Sequence, residues 1–154
     1  MCTKTDPMQF TVSTIQESGY EVVELQDHGS GARVQLYSFG ALLNAFTIPT
    51  KTGTINGIDG FSSMADAVAG ATAGFKSSKL SPFVCRLQTG KYSYHQKEYT
   101  IKGFYLGDHA IHGLLFNAQF TIPETKSTAT EASVIFSHHY KGTDPGYPFS
   151  FTLH

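Results

Sequence analysis

An all-β chain, folded as an antiparallel sandwich or barrel, is what this sequence predicts, and three observations predict it. Short apolar runs recur along the chain, and the clearest of them alternate with period two. Turn chemistry rich in Gly, Pro, Asp and Ser separates each run from the next. Only one segment carries helix signals. Many short strands with almost no helix close on one another as a sandwich or a barrel.

Taken in order, Glu21-Val-Val-Glu-Leu25 is apolar at alternate and neighbouring positions and closes at Asp27-His28-Gly29-Ser30-Gly31, a loop by composition. Ala32–Phe39 alternates Val34, Leu36 and Ser38 against Arg33, Gln35 and Tyr37, the pattern of a half-buried strand. Gly40 leads straight into Ala41–Ile48, which Pro49 stops, so the two runs are expected to pair antiparallel. Lys51–Thr54 reads as a further turn. Ser62–Ser78 is the exception, rich in Ala, Gly and Ser. Ser62 or Ser63 can cap a short helix over Met64–Ala69, with loop beyond it.

Gly90–Ile101 reads as a hairpin turning at His95-Gln96-Lys97, with Tyr92 and Tyr94 on one face. Phe104–Phe116 reads as a long loop, and Gln119–Ile122, Ala132–Tyr140 and Tyr147–His154 as more strands. No repeat, low-complexity tract or linker divides the chain. Residues 1–19 are expected to form a strand or tail, and residues 20–154 part of one sandwich domain. The run Phe149-Ser-Phe-Thr-Leu-His154 reaches the end of the sequence without a polar fringe, as a strand edge left by truncation would.

Composition narrows the function. Eleven Lys and Arg stand against twelve Asp and Glu in 154 residues, a net charge of −1 with no basic block. That excludes a binder of nucleic acid, which needs clustered cations to displace counterions. A charged fraction of only 15 % beside 13 % aromatics excludes a disordered chain. No apolar run approaches the roughly 18 residues of a spanning helix, so no membrane role is expected. Met1–Phe10 is polar and lacks the pattern of a secretory signal. Cys2 and Cys85 are too few for a disulfide framework and lack zinc spacing. A reducing, cytoplasmic setting is therefore expected.

Several residues carry possible chemistry. His109 and His112 stand three apart, which suits metal ligation only if further ligands converge, and none stands at metal spacing nearby. His138 and His139 are adjacent on a strand and point to opposite faces. The His109–His112 pair reads either as loop residues bonded to backbone or as a polar binding or acid–base pair in a cleft. Arg86 lies in the apolar run Ser81–Leu87. It either reaches solvent or an acid, or lines a pocket with its fork of donors for hydroxyl or carboxylate oxygens. Asp144-Pro-Gly-Tyr-Pro148 is a turn by its chemistry. Phe75, Tyr92, Tyr94 and Phe116 are aromatics that serve either a core or the face of a sugar. No phosphate-cradling loop or nucleophile elbow occurs.

In sequence order, Phe39-Gly-Ala-Leu-Leu43, Ser81-Pro-Phe-Val-Cys-Arg-Leu-Gln-Thr-Gly-Lys-Tyr92, Gln96-Lys-Glu-Tyr99, Ala110-Ile-His-Gly113 and Asp144-Pro-Gly-Tyr-Pro148 resemble the first half of an aldose 1-epimerase, or galactose mutarotase. The resemblance covers most of residues 20–154. It implies the galactose mutarotase-like supersandwich and interconversion of the α and β anomers of a hexose without cofactor or metal. It also implies Arg86 and His112 as substrate-binding residues, with His109 a loop residue outside the site. Cys85 stands where the family has Asn, Leu114 where many members have a second Gly, and Phe149 where Gly is common. The family's general acid His, substrate-holding Asp and general base Glu belong to its second half, and their motifs are not found here. The resemblance therefore names no catalytic residue in this chain. A second chain or self-association would then complete the sandwich. A carbohydrate-binding sandwich module without catalysis is the alternative.

Overall fold

The computed structural model describes residues 8–154; residues 1–7, with Cys2 and most of the polar opening, lie outside the described residues. Strands β1 (Phe10–Glu17), β2 (Tyr20–Asp27), β3 (Arg33–Tyr37), β4 (Leu42–Thr50) and β5 (Gly53–Asn56) form one antiparallel sheet in chain order. Ser18 and Gly19 join β1 to β2 with φ of 51° and 84°. Positive φ at both turn positions gives the twist that a two-residue hairpin needs.

Pro49 does not end β4, as the sequence led one to expect. It pairs with Thr54 of β5, next to the Thr50–Gly53 pair that closes the hairpin. On its other side β3 has already stopped at the Arg33–Thr47 pair, so the missing N–H leaves no partner unsatisfied.

The β3–β4 register shifts between Gln35 and Leu36, where Asn44 is the extra residue of a bulge. Its buried amide is thereby free to bind elsewhere. Nδ2 donates to Gln35 Oε1 (2.9 Å), the Tyr37 hydroxyl (2.9 Å) and Phe61 O (3.2 Å), while Oδ1 accepts from Phe61 N (2.8 Å). Tyr37, on the face the alternation had assigned to polar residues, is buried because a helix covers it. Both faces of the sheet are used at this end.

That helix, α1 (Met64–Gly70), falls within one residue of the expected span. Ser63 caps it, its hydroxyl accepting from Asp66 N at 3.1 Å. The Asp66 carboxylate answers by accepting from the N–H and hydroxyl of Ser62 at 2.9 and 3.0 Å. Met64 and Ala67 then pack on Val22, Tyr37, Phe39 and Leu42 to make the first core.

The rest of the chain supplies short strands: β6 (Arg86–Leu87), β7 (Lys91–Tyr94), β8 (Lys97–Thr100), β9 (Tyr105–Leu106), β10 (His109–Ile111), β11 (Thr121–Ser127), β12 (Ala132–Tyr140) and β13 (Phe151–Leu153). They form three antiparallel groups, β6-β10-β9, β7-β8 and β11-β12-β13. The expected Phe104–Phe116 loop thus contains two strands. The β7–β8 turn is the two residues His95 and Gln96, with φ of 49° and 62°, and Lys97 belongs to a strand. Of the final run only Phe151–Leu153 joins a sheet, while Tyr147 bridges back to Asp144.

A second core of Ala41, Leu115, Phe120 and Tyr140 lies between the five-stranded sheet and β11–β13. The two are tied where Phe120 N donates to Ser38 O at 2.8 Å and Gly40 N to Ala118 O at 2.7 Å. Beside this core an apolar groove of about 420 Å³ stays open, walled by Leu36, Leu43, Val134, Phe136 and Leu153 among others. No helix among the described residues is long and apolar enough to cross a membrane.

Candidate functional site

The site is built where β10 leaves its sheet. Ala110 and Ile111, both buried, pair with Leu87 and Arg86 of β6. One residue further the ladder turns into a clamp. His112 N donates to Cys85 O at 3.1 Å, and Cys85 N donates back to His112 Nδ1 at 3.2 Å. Cys85 and His112 have φ of 57° and 61°, a left-handed conformation that non-glycine residues adopt at a cost of about 1–3 kcal/mol. Gly113 continues at φ 72°, so close to Ser81 that a Cβ would lie 2.1 Å from its carbonyl oxygen. Leu114 N then donates to that same oxygen at 2.7 Å.

The imidazole of His112 is fixed on two sides. Its Nδ1 must be an acceptor, because a backbone N–H can only donate. The neutral ring therefore carries its proton on Nε2, which is left as a donor. Against the ring lies Phe75, 4.5 Å between centroids, and Phe75 packs in turn on Phe104 (5.7 Å) and Phe116 (5.2 Å). Phe75 itself has φ 52°.

Arg86 is one residue from the clamp. It is exposed, and among the described residues it has no ion pair or side-chain hydrogen bond. The desolvation cost expected of an Arg in an apolar run does not arise, since its neighbour Val84 is also exposed. The guanidinium fork is free to bind. The β6–β10 register thus sets Arg86 opposite Ile111, and Cys85 opposite His112, with Phe75 on the imidazole and Phe116 behind Phe75.

His109 is corrected from a loop residue to the first residue of β10, paired with Leu106. Its Nδ1 accepts from Thr89 N at 3.3 Å. Both histidines are therefore bonded to backbone amides of the Cys85–Thr89 segment. His138 Nδ1 meets Gln119 O at 2.8 Å, and His139 Nδ1 meets Thr152 Oγ1 at 3.0 Å. Among the described residues no three His, Cys, Asp or Glu side chains gather to hold an ion.

Asp144 is structural. Its carboxylate accepts from Gly146 N and Lys102 N, each at 2.7 Å. Tyr92 donates its hydroxyl to Gly146 O at 2.8 Å, and its partial burial pushes the phenol pKa up. Tyr92 and Tyr94 gather around Tyr147 and Phe149. Sequence reasoning missed the left-handed turns at Phe75, Cys85 and His112, since none is a glycine.

Residues 21–154 match the family model described as Aldose 1-epimerase. The chain belongs to the aldose 1-epimerase family. It is similar to the solved GalM/aldose epimerase homologue from C. elegans, at 21 % identity over 92 % of this chain with a TM-score of 0.63. It is also similar to galactose 1-epimerase from Lactobacillus acidophilus NCFM, at 15 % identity over 87 % of this chain with a TM-score of 0.65. This chain spans 39 % of the length of each. At such identities the likeness is one of fold, and it agrees with the all-β antiparallel architecture expected of an aldose 1-epimerase. No curated protein matches the chain.

Proposed function

We propose that this chain supplies the sugar-binding half of an aldose 1-epimerase-like site, with a hexose as substrate and Arg86 and His112 as its contacts. The observation that carries the reading is the clamp between Cys85 and His112, which occupies Nδ1, leaves Nε2–H as the ring's donor, and is followed in sequence by the exposed Arg86. Interconverting anomers moves a proton from the anomeric hydroxyl to a base while an acid protonates the ring oxygen. The bond from C1 to the ring oxygen breaks, an aldehyde forms, C1 rotates, and the ring closes on its other face. Nothing is oxidised, so no cofactor is needed. His112 Nε2–H would donate near the ring oxygen, and Arg86 would hold hydroxyls with its fork of donors.

The base and the main acid are assigned to polypeptide outside this chain, a second chain or a second copy completing the sandwich. Residues 20–154 would then be the N-terminal part of one mutarotase-like domain, with residues 1–19 as its leading strand or tail. A cytoplasmic setting, with neither nucleic acid nor membrane as partner, fits the charge balance and composition. The second reading, a carbohydrate-binding sandwich without catalysis, is favoured by one observation. Among the described residues no carboxylate bonds Arg86 or His112.

Polarimetry on freshly dissolved α-glucose and α-galactose, beside a binding titration, tests the proposal. The chain alone should bind sugar yet leave the anomerisation rate near that of buffer. Each missing acid or base accounts for about 10²–10⁴-fold. Supplying the remainder of a family fold should restore the rate, and Arg86→Ala or His112→Ala should lower it again. No sugar binding, or restored rates indifferent to both substitutions, would overturn the assignment. Binding that never gains a rate would select the non-catalytic module.

A further inference from the structure

Behind Arg86, on the other face of β6, stands a second group of aromatic side chains. Leu87 lines a pocket of about 220 Å³ with Phe83, Tyr92, Ile101 and Tyr147. Neighbouring side chains alternate along a strand, so Arg86 is turned away from it. That pocket shares Tyr92 and Tyr147 with a cradle of about 360 Å³ walled by Tyr92, Tyr94, Tyr147 and Phe149. Phe149 sets its shape, meeting Tyr94 at 5.2 Å and Tyr147 at 5.3 Å edge to face, and Tyr99 at 5.5 Å. Tyr92 lies flat on Tyr99, 5.1 Å between centroids and 14° between planes.

We propose that this cradle is a second carbohydrate site, which takes one neutral pyranose ring and is independent of Arg86 and His112. Two features of the walls select that ligand. The ring faces are electron-rich and suit the weakly positive C–H face of a pyranose, as they would any apolar surface of that shape. The hydroxyls of Tyr94 and Tyr147 have no hydrogen-bond partner among the described residues, whereas Tyr92 uses its own on Gly146 O. A wholly apolar ligand would strand both phenols, and a stranded polar group costs about 1–3 kcal/mol. A sugar offers them hydroxyls.

Charge excludes the other ligand that aromatic walls attract. Lys97 Nζ already lies 5.1 Å from the Tyr99 centroid, so a cation entering the cradle meets a positive neighbour. The volume sits at the small end of the roughly 300–1,000 Å³ of small-molecule sites, as a single ring requires. Tyr94, 50 % exposed, leaves the cradle open to solvent.

The test uses methyl β-galactopyranoside and methyl α-glucopyranoside, whose rings cannot open, so binding is read without turnover. Tyrosine ring resonances are followed by NMR during each titration. At least one glycoside should shift Tyr94 and Tyr147, and the shifts should persist in Arg86→Ala. Tyr94→Leu, at a half-exposed position, should weaken binding by about tenfold, the loss of one aromatic face. Phe149→Leu should act alike, and Tyr94→Leu decides alone if that variant fails to fold. No shift, a Tyr94→Leu variant that binds as before, or shifts lost in Arg86→Ala would each overturn the proposal. So would a proline-rich peptide that shifts these rings when neither glycoside does. Failure of sugar binding at Arg86 and His112 leaves this site untouched, because its readout is the cradle's own rings.

Discussion

The two cores differ in how fully they close. Between the five-stranded sheet and α1, Leu42, Met64 and Ala67 are no more than 1 % exposed, and the polar groups inside are paired through Asn44. Between that sheet and β11–β13, Phe120 is as well buried, yet Ile135 is 41 % exposed and a groove of about 420 Å³ stays open. The first core draws mainly on Val22 to Ala71, consecutive hairpins and the helix that follows them. The second joins Ala41 to residues from Leu114 to Leu153. Contacts close in sequence lose little entropy on forming and complete a core cheaply, whereas distant ones need more chain to cover the same surface.

Truncations in the two cores should therefore differ most. Leu42→Ala should lower unfolding free energy by about 2–5 kcal/mol in denaturant titrations. Ile135→Ala should cost at most about half of the roughly 1.5–3 kcal/mol of a fully buried aliphatic side chain. Equal losses would mean that the groove is closed in solution, and the contrast would fall.

The next effect separates backbone conformation from close approach. Gly107, φ 60°, has open space where a Cβ would go, while at Gly113, φ 72°, that atom would strike the Ser81 carbonyl. Gly107→Ala should cost the roughly 1–2 kcal/mol of a left-handed residue. Gly113→Ala should cost clearly more and weaken sugar binding, because it displaces His112. Equal melting-temperature losses would show that the clamp yields.

The smallest effect lies at the start of α1. Ser63→Ala should remove about 1 kcal/mol by losing the cap. The N–H and then the hydroxyl of Ser62 hold the Asp66 carboxyl below its ordinary pKa. A depressed carboxyl stabilises the fold above its unfolded pKa, and that contribution fades as pH falls below about 4. The stability gap between wild type and Asp66→Asn should thus narrow in acid. A gap that widened would reverse the sign.

What was legible in the sequence follows the same division. Alternation in Ala32–Phe39 and a Ser62 or Ser63 cap ahead of Met64–Ala69 are local signals, and each marks an element that forms. Strands β6, β9 and β10 run to two or three residues, too short for any period, and exist only through their pairing with one another. Tyr37 was misplaced because covering one more face of the sheet is a decision made by α1, not by β3. Arg86 and His112 are proposed as sugar contacts through a resemblance, not through any local pattern. No propensity announces a left-handed Cys85 or His112, and it is those two turns that aim the imidazole.

The proposed site stands or falls on whether the clamp presents His112 Nε2–H, together with Arg86, to a sugar. Nitrogen NMR of histidine-labelled protein, titrated with galactose, reads both parts at once. The account expects the Nε2–H tautomer at His112 in the free chain, and a shift of that resonance on adding sugar which Arg86→Ala diminishes. An Nδ1–H tautomer, or a resonance that galactose leaves unmoved, would contradict it.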